Sequence, residues 1–302
     1  MATGLFVGLI TLDLIYLTPA LPQPNQKLVA QAYTLAAGGP ATNAAITFQF
    51  LASSAQTSSS KQSSLTRLMG VIGNHPVSRF ILAELQAQQL ELIDLQPDSP
   101  EPLPVSSVLV TQATGDRAVI SINASRTQAD PDQIPEQILS GVEVVLIDGH
   151  QMAVGAEIAQ RARQASIPVV VDAGSWKPGF EAVLRQADHV ICSANFQPPD
   201  WQGDPLDYLQ SLGVPYSAVT RGEQPIWACS RGERFTVPVP SVSAVDTIGA
   251  GDVFHGAFCY YILQLEFRQA LEQAAQVAAQ SCRSFGTREW MREWIKAAEK
   301  PV

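Results

Sequence analysis

Short runs of apolar residues alternate with amphipathic stretches through the second half of the chain. The run VEVVLIDG (142–149) predicts a buried strand, and MAVGAEIAQRARQASI (152–167) has the apolar spacing of a helix. The same alternation continues through PVVVDAG, FEAVLRQA, HVICSA, DPLDYLQSLG and YSAVT. Because short apolar strands separated by helices are typical of βαβ units, the pattern predicts a parallel sheet with helices on both faces.

The end of the chain follows a different pattern. IWACS and RFTVPV predict two strands of an antiparallel hairpin, joined by a turn at 230–233. Apolar residues at helical spacing then predict helices over 250–265, 268–285 and 288–300. The tryptophans of REWMREW are expected to pack the last of these helices on the core.

Strand and helix patterns are mixed in the first third of the chain. GLFVGLI and LTRLMGVIG predict strands, PVSRFILAELQAQQL predicts a helix, and the extended stretch LVAQAYTLAAGG leads into a helix from about Ala41. Residues 105–123 predict two strands joined around Thr114-Gly115-Asp116, a hairpin that interrupts the βαβ order. With the extended stretch near 11–35, this hairpin would form a small sheet standing off the main domain, as a lid does.

Composition and charge narrow the class of protein. The 302 residues suffice for one large α/β domain or two ordinary ones, and an apolar fraction of 46% provides for a buried core. The formal net charge of −9 argues against a nucleic acid or an anionic membrane as partner, since both favour a basic face. A phosphate ligand is compatible with this charge, because backbone amides can hold it.

Cysteine spacing and the first apolar run bear on location. Cys192, Cys229, Cys259 and Cys282 show no CxxC spacing, so we expect reduced, mostly buried thiols in a cytoplasmic protein. The N-terminal run GLFVGLITLDLIYL lacks a basic region, contains Asp13 and is too short to span a bilayer. It is therefore interpreted as a strand running into a functional loop. The polar, low-complexity stretch 53–64 is expected to be a surface loop.

Glycines cluster where the first C-terminal helix begins, in VDTIGAGDVFHGAF (245–258). The first amide N–H groups of a helix lack intrahelical acceptors and carry partial positive charge, and glycines let an anion approach them. Gly249, Ala250 and Gly251 would therefore suit an anion hole for a phosphoryl group in transfer. Asp252 beside them could take the proton of an attacking hydroxyl. A plain glycine-rich turn, with Asp252 as an ordinary acid of the first helical turn, fits the same residues.

A second glycine pair, Gly38 and Gly39, also ends an extended segment and precedes a helix. Asn43, in the first turn of that helix, can both donate to and accept from a sugar hydroxyl. Asp13, after the first strand, is the other expected acceptor for hydroxyls. Taken singly, Asp13 is equally typical of a capping or turn residue, and Asn43 of a helix start.

Together and in this order, the motifs resemble the PfkB, or ribokinase-like, family of carbohydrate kinases. DTIGAGD (246–252) matches the family signature D-T-x-G-A-G-D, and the Gly38–Asn43 spacing matches its G-G-x-x-x-N cluster. VDAGSWKPG and DVFHGAF are most similar to the ketohexokinase-like branch. The resemblance implies a ribokinase-like three-layer α/β/α fold with a mostly parallel central sheet. It also implies one kinase domain over 1–302, with a β-sheet lid from about 11–35 and 105–123.

The resemblance also assigns roles to residues. It implies ATP and Mg²⁺ as cofactors, a small sugar as phosphoryl acceptor, and a homodimer formed through the lid. The catalytic base would be Asp252, and the anion hole Gly249, Ala250 and Gly251. The sugar would be bound by Asp13, Gly38, Gly39 and Asn43. The nucleotide would be bound by Thr220, Gly222, Asp246 and Thr247.

Two departures from the family pattern keep other functions open. After Asn195 the N-x-x-E acid is missing, with no carboxylate before Asp200, so no metal ligand is assigned; Pro40 stands where the family often has a polar residue. A sugar- or nucleoside-binding regulatory protein with weak or lost catalysis therefore stays an alternative, as does a nucleoside kinase. The missing GxGxxG after the first strand disfavours a dinucleotide oxidoreductase, and the missing GxxxxGK[ST] excludes a P-loop kinase.

The sequence leaves the acceptor open among ketoses, ribose, other sugars and nucleosides. No cluster of Arg and Lys accompanies the sugar motifs, which favours an unphosphorylated substrate. Arg117 and Arg126, in or near the predicted lid, would instead favour a substrate that carries a phosphate.

Overall fold

Two β-sheets organise the chain in the computed structural model, which describes residues 2–55, 66–113, 115, 117–122 and 128–298. In chain order the strands are β1 (Gly4–Val7), β2 (Thr11–Thr18), β3 (Ala32–Gly38), β4 (Thr66–Gly70), β5 (Leu90–Asp94), β6 (Val105–Thr111), β7 (Arg117–Ser121), β8 (Val144–Ile147), β9 (Val169–Ala173), β10 (His189–Ser193), β11 (Tyr216–Arg221), β12 (Gln224–Ser230) and β13 (Glu233–Val237). The α-helices are α1 (Pro40–Ser54), α2 (Ser78–Ala87), α3 (Met152–Gln164), α4 (Phe180–Leu184), α5 (Pro205–Ser211), α6 (Ala250–Tyr261), α7 (Phe267–Ser281) and α8 (Glu289–Ala298).

The larger sheet has nine strands in the order β13-β12-β11-β10-β9-β8-β1-β4-β5. From β11 to β5 neighbouring strands are parallel, whereas β12 and β13 form the antiparallel hairpin that the sequence predicts. Every residue of β8 and β9 is buried, as expected of parallel strands covered on both faces.

The hydrophobic core lies in two layers, one on each face of this sheet. Adjacent residues of a strand point to opposite faces. Phe6 of β1 accordingly packs with Phe48 of α1 in one core cluster, which also contains Phe258 of α6, whereas its neighbour Leu5 belongs to the other cluster with Phe180 of α4. The α/β/α layering predicted from the sequence is therefore confirmed. Among the described residues, no helix is long and apolar enough to cross a bilayer.

The smaller sheet has four strands in the order β3-β2-β6-β7 and combines parallel and antiparallel pairs. Its inner face contributes Ile15, Val108 and Val110 to a small cluster that contacts Ile248 and Phe285. Its outer face leaves large apolar side chains exposed: Tyr33, Leu35, Val105, Ile120 and Ile122.

Several sequence expectations need correction. Ser53 and Ser54 belong to α1 rather than to a loop, and the Ser54 hydroxyl donates to the Phe50 carbonyl 2.8 Å away. Residues 56–64 of that predicted loop lie outside the described residues, as do Thr114, Asp116, Asn123 and Arg126 of the predicted lid region. Asp13 lies within β2, not in a loop after the first strand. Strand β5 was not predicted, and α6 and α7 end earlier than their patterns suggest.

Candidate active site

The first turns of α1 and α6 lie side by side and bring two predicted site residues together. The Asn43 amide Nδ2 donates a 2.8 Å hydrogen bond to Oδ2 of Asp252. The two helices can approach this closely because Gly256 of α6 faces the α1 backbone, where a Cβ would lie 2.2 Å from the Ala44 carbonyl oxygen. The glycine in the helix interior thus sets the distance between the two candidate side chains.

Both helices begin after a glycine with positive φ. Gly39 precedes α1 with φ 95°, and Gly249 precedes α6 with φ 68°, a backbone region that residues with a side chain rarely adopt. At Gly39 a Cβ would also lie 2.2 Å from the Leu9 carbonyl oxygen. Pro40 fits directly after this turn because its fixed φ suits the first helical position.

The candidate anion hole at the start of α6 is partly open. The Ala250 N–H donates a 3.3 Å hydrogen bond to the Thr247 carbonyl. The N–H groups of Gly249 and Gly251 have no acceptor within the described part of the chain. A Cβ on Gly251 would meet no heavy atom within 4 Å. At Gly249 a Cβ would lie 3.2 Å from Cγ2 of Thr287, so the open side of the helix start is at Gly251. Unpaired amides at the start of a helix can receive an anion.

The pKa of the Asp252 carboxyl group lies close to neutral pH. Burial raises the pKa of Asp252 to about 7, with a further increase from the negative charge of Asp172, while the Asn43 hydrogen bond and His255 act in the opposite direction. A carboxylate with this pKa can both accept and release a proton at physiological pH. His255 itself is buried as expected, 2.7 Å from the Gly251 carbonyl through Nδ1.

Asp13 and Gly38 form the second half of the candidate site. Asp13 is buried and accepts a 2.7 Å hydrogen bond from the Thr11 hydroxyl. Burial raises its pKa, against the hydrogen bonds from Thr11 and Ser106 and the charge of Arg288. A Cβ on Gly38 would lie 1.9 Å from the Asp13 carboxylate, so only glycine leaves room for that carboxylate on the neighbouring strand.

Asp246 shapes the turn ahead of the anion hole. Its carboxylate accepts 2.9 Å hydrogen bonds from the backbone amides of Ile248 and Gly286, and burial raises its pKa. Arg117 of the smaller sheet donates to the Thr247 hydroxyl at 2.8 Å and to its carbonyl at 3.3 Å. Asp246 therefore stabilises the turn through backbone hydrogen bonds, whereas Thr247 links the smaller sheet to the segment that precedes α6.

Thr220 and Gly222 lie apart from this cluster. Thr220 ends the buried part of β11, where its hydroxyl donates to the Cys192 carbonyl at 3.3 Å. Gly222 has φ 63° in the turn to β12. Over the described ranges no hydrogen bond or ion pair joins either residue to Asp13, Asn43 or Asp252.

Three further side chains reach the cluster without having been assigned from the sequence. Arg288 donates to Oδ1 of Asn43 at 2.9 Å and pairs with Glu84 at 3.2 Å. Asp172, near the end of β9, raises the pKa of Asp252 through its negative charge, the second-largest cause after burial. Asp172 could have been found from the sequence, because it lies near the carboxyl end of a predicted parallel strand, and such ends meet at one edge of a sheet. For Arg288 and Glu84 the sequence carries no motif.

Comparisons with known proteins identify the family and the fold of the chain. The pfkB family carbohydrate kinases match residues 1–294. A deoxyribokinase of Salmonella typhi is 24% identical, over 93% of this chain and 92% of that protein. A ribokinase of Bacillus subtilis is 20% identical with the same coverage of both chains. The solved structure of an Arabidopsis thaliana ribokinase complexed with ribose and ATP covers all of both chains with a TM-score of 0.73 and 19% identity.

Proposed function

The chain belongs to the pfkB family of carbohydrate kinases, and from this premise we propose that it transfers the terminal phosphoryl group of ATP to a hydroxyl of a small, unphosphorylated ketose or pentose. The observation that carries the proposal is the Asn43–Asp252 contact beside the open amides of Gly249 and Gly251. This contact brings the amide that we propose to bind a hydroxyl and the carboxylate that we propose as base together beside the helix start that we propose to bind the phosphoryl group.

The proposed reaction is an in-line transfer. The acceptor oxygen attacks the terminal phosphorus, the bond from phosphorus to the bridging oxygen of ADP breaks, and the acceptor proton passes to the Asp252 carboxylate. The unpaired amides of Gly249 and Gly251 are proposed to stabilise the charge that develops on the transferred group, whereas the Ala250 amide, predicted as the third donor, is bonded to the Thr247 carbonyl. Because these donors are fixed by the helix, they need little reorganisation in the transition state.

Contacts around Asp13 support a neutral acceptor. The Asp13 carboxylate and the Asn43 amide are proposed to bind sugar hydroxyls, with Gly38 and Gly39 allowing close approach. The nearest guanidinium, Arg288, already donates to four protein groups, so it has little capacity for a second phosphate on the substrate. Named ribokinase and deoxyribokinase relatives favour a pentose within this class.

ATP is proposed to extend from the anion hole toward the carboxyl end of β11. Thr247 lies beside the hole, and Thr220 and Gly222 would border the nucleotide. Magnesium would enter as Mg·ATP, held mainly by phosphate oxygens and water, because Mg²⁺ needs few protein ligands in such sites. Among the described residues no group of three or more His, Cys, Asp or Glu side chains is arranged to hold a metal ion, so we assign the cation no direct protein ligand.

The smaller sheet is proposed to act as a lid and as a homodimer interface. Its inner face already reaches the signature through Arg117, as a closing lid would. Its outer face carries exposed apolar side chains, including Tyr33 at 67% and Ile120 at 74% exposure, which a second copy would cover. Four free cysteines, three of them buried, agree with the proposed cytoplasmic location.

A panel of Mg·ATP turnover assays tests the proposal. Ketoses, pentoses, deoxypentoses and nucleosides are each offered with ATP, and ADP release and calorimetric binding are measured in parallel. We expect ADP release with at least one sugar. Binding of a sugar or nucleoside without ADP release would instead favour the regulatory alternative, which the missing acid after Asn195 supports. Preferred turnover of a nucleoside would replace the sugar assignment.

A further inference from the structure

The guanidinium of Arg288 connects helix α8 to the candidate site. Its Nε donates to Glu84 at 3.2 Å, and Nη1 donates to Asn43 Oδ1 at 2.9 Å and to the Thr287 carbonyl at 3.1 Å. Its Nη2 donates to the Ala37 carbonyl. The side chain is only 19% exposed. Every nitrogen of the guanidinium is thus used by the protein in a fixed geometry.

Arg288 decides which way the Asn43 amide points. The oxygen and nitrogen of an asparagine amide are distinguished by their hydrogen-bond partners. Because arginine can only donate, Oδ1 of Asn43 must face Arg288, and Nδ2 must face the Asp252 carboxylate. A reversed amide would put two donors together on one side and two acceptors together on the other. The orientation of Asn43 toward Asp252 therefore depends on Arg288.

Glu84 extends this chain of contacts to the sugar side of the site. One of its oxygens accepts from Arg288, and the other accepts from the backbone amide of Ala37. Arg288 and Glu84 thus hold both the N–H and the carbonyl of Ala37, the residue directly before Gly38. The backbone that leads into the glycine pair is fixed by the same ion pair.

Arg288 is also the cation nearest to several acids. Its charge interacts with Glu84 of α2, Asp13 of β2 and Asp252 of α6. Asp252 is further faced by Asp172 of β9 and by His255 of its own helix. Asp13 and Asp172 both act on Asp252 through their negative charges, and a buried positive charge near these carboxylates reduces their mutual repulsion.

We propose that Arg288 is a positioning residue for phosphoryl transfer, which orients Asp252 through Asn43, fixes the backbone ahead of Gly38 through Glu84, and reduces the repulsion between the site carboxylates. The inference rests on the proposed function of Asp252 as base. It differs from a purely structural role because it ties Arg288 to the protonation of Asp252. The sequence pattern predicts for this segment only a helix that packs on the core.

The test compares Arg288→Gln and Arg288→Lys with a control, Arg292→Gln, on helix α8, which Arg288 directly precedes. Arg292 has a side chain that is 76% exposed and, within the described part of the chain, forms an ion pair only with Glu289. Two readouts are used: the pH profile of kcat/KM, and the carboxyl ¹³C titration of Asp252, assigned by the signal lost in Asp252→Asn. The NMR titration needs no turnover, so it decides the role of Arg288 even if no acceptor is phosphorylated.

We expect Arg288→Gln to move the Asp252 titration to higher pH and to lower kcat/KM roughly tenfold more at pH 6 than at pH 8.5. Arg288→Lys should restore the titration, because it keeps the charge, but should raise KM for the sugar, because an ammonium lacks the planar fork that serves Asn43, Ala37 and Glu84. The control should match the wild type in both readouts.

Two results would overturn the inference. One is an Asp252 titration in folded Arg288→Gln that coincides with the wild type. The other is a loss of activity by the same factor at every pH, which a merely structural arginine would give. If Arg288→Gln does not fold, Arg288→Lys decides alone: an unchanged KM together with wild-type kcat would rule out the positioning role.

Discussion

The pKa of Asp252 results from opposing influences: burial and a neighbouring acid raise it, and a hydrogen bond lowers it. Asn43 supports the charged form, whereas burial and the Asp172 charge favour the neutral form and raise the pKa of Asp252 to about 7. A base that is half ionised at neutral pH accepts a proton readily and releases it after transfer. The same environment makes the base sensitive to pH and to each neighbouring charge.

The acid limb of the pH profile follows from this pKa. A general base must be ionised, so kcat/KM for the acceptor should be constant above about pH 8 and should fall about tenfold per pH unit below about pH 6. Initial rates from pH 5.5 to 9 at saturating Mg·ATP measure the limb, with circular dichroism confirming the fold across the range. A profile that stays flat down to pH 5.5 would contradict the assignment of Asp252 as base.

At the scale of elements, the site depends on two helices that start together. Gly256 allows α6 to rest on α1, since a Cβ there would lie 2.2 Å from the Ala44 carbonyl oxygen and 2.8 Å from Cβ of Thr47. Neither atom is the end of a flexible side chain. Any added group must move one helix, and with it the Asn43–Asp252 contact.

Gly256→Ala tests this dependence, because the substitution either stabilises or destabilises the fold. Replacing a glycine inside a helix by alanine ordinarily stabilises by about 0.5–1 kcal/mol. Here we expect destabilisation by about 1–3 kcal/mol from overpacking, together with a lower kcat. Urea unfolding and steady-state kinetics measure both. Increased stability with unchanged kcat would show that the helix contact does not set the site geometry.

Elements with a clear period were predictable, and those without boundary signals were not. Strands β8 to β11, their helices and the β12–β13 hairpin were found because apolar runs alternate with turn residues. Strand β5 was missed because it follows α2 directly: the turn uses Gln89 with φ 58° in place of a glycine or proline. Asp13 was misplaced because the apolar run of β1 continues into β2 without a break.

At the scale of the whole molecule, the outer face of the smaller sheet predicts self-association. Ile120→Lys, at a position 74% exposed, should shift the protein from dimer to monomer in analytical ultracentrifugation, because a charge within an apolar interface is costly to bury. Ile295→Lys on α8, at a position 46% exposed, is the matched control and should leave the dimer unchanged. A monomeric wild type at micromolar concentration would contradict the proposed interface.

The candidate site was predictable as far as it is local in sequence. Glycine pairs before helices and the acid after them lie within a few residues of one another, so the motifs carry them. Arg288 reaches Asn43 of α1 across 245 positions and Glu84 of α2 across 204, and only the tertiary fold brings the turn before α8 to these two helices. Such contacts leave no spacing in a single sequence, and for this reason the positioning network was missed.

The most direct test of the account is phosphoryl transfer by Asp252→Asn. Asparagine keeps the size of the side chain but cannot take a proton, so ADP release with the preferred sugar should fall by at least about a hundredfold, while calorimetry shows sugar and Mg·ATP binding within severalfold of the wild type. An ADP release rate close to that of the wild type would contradict the central claim that Asp252 is the base.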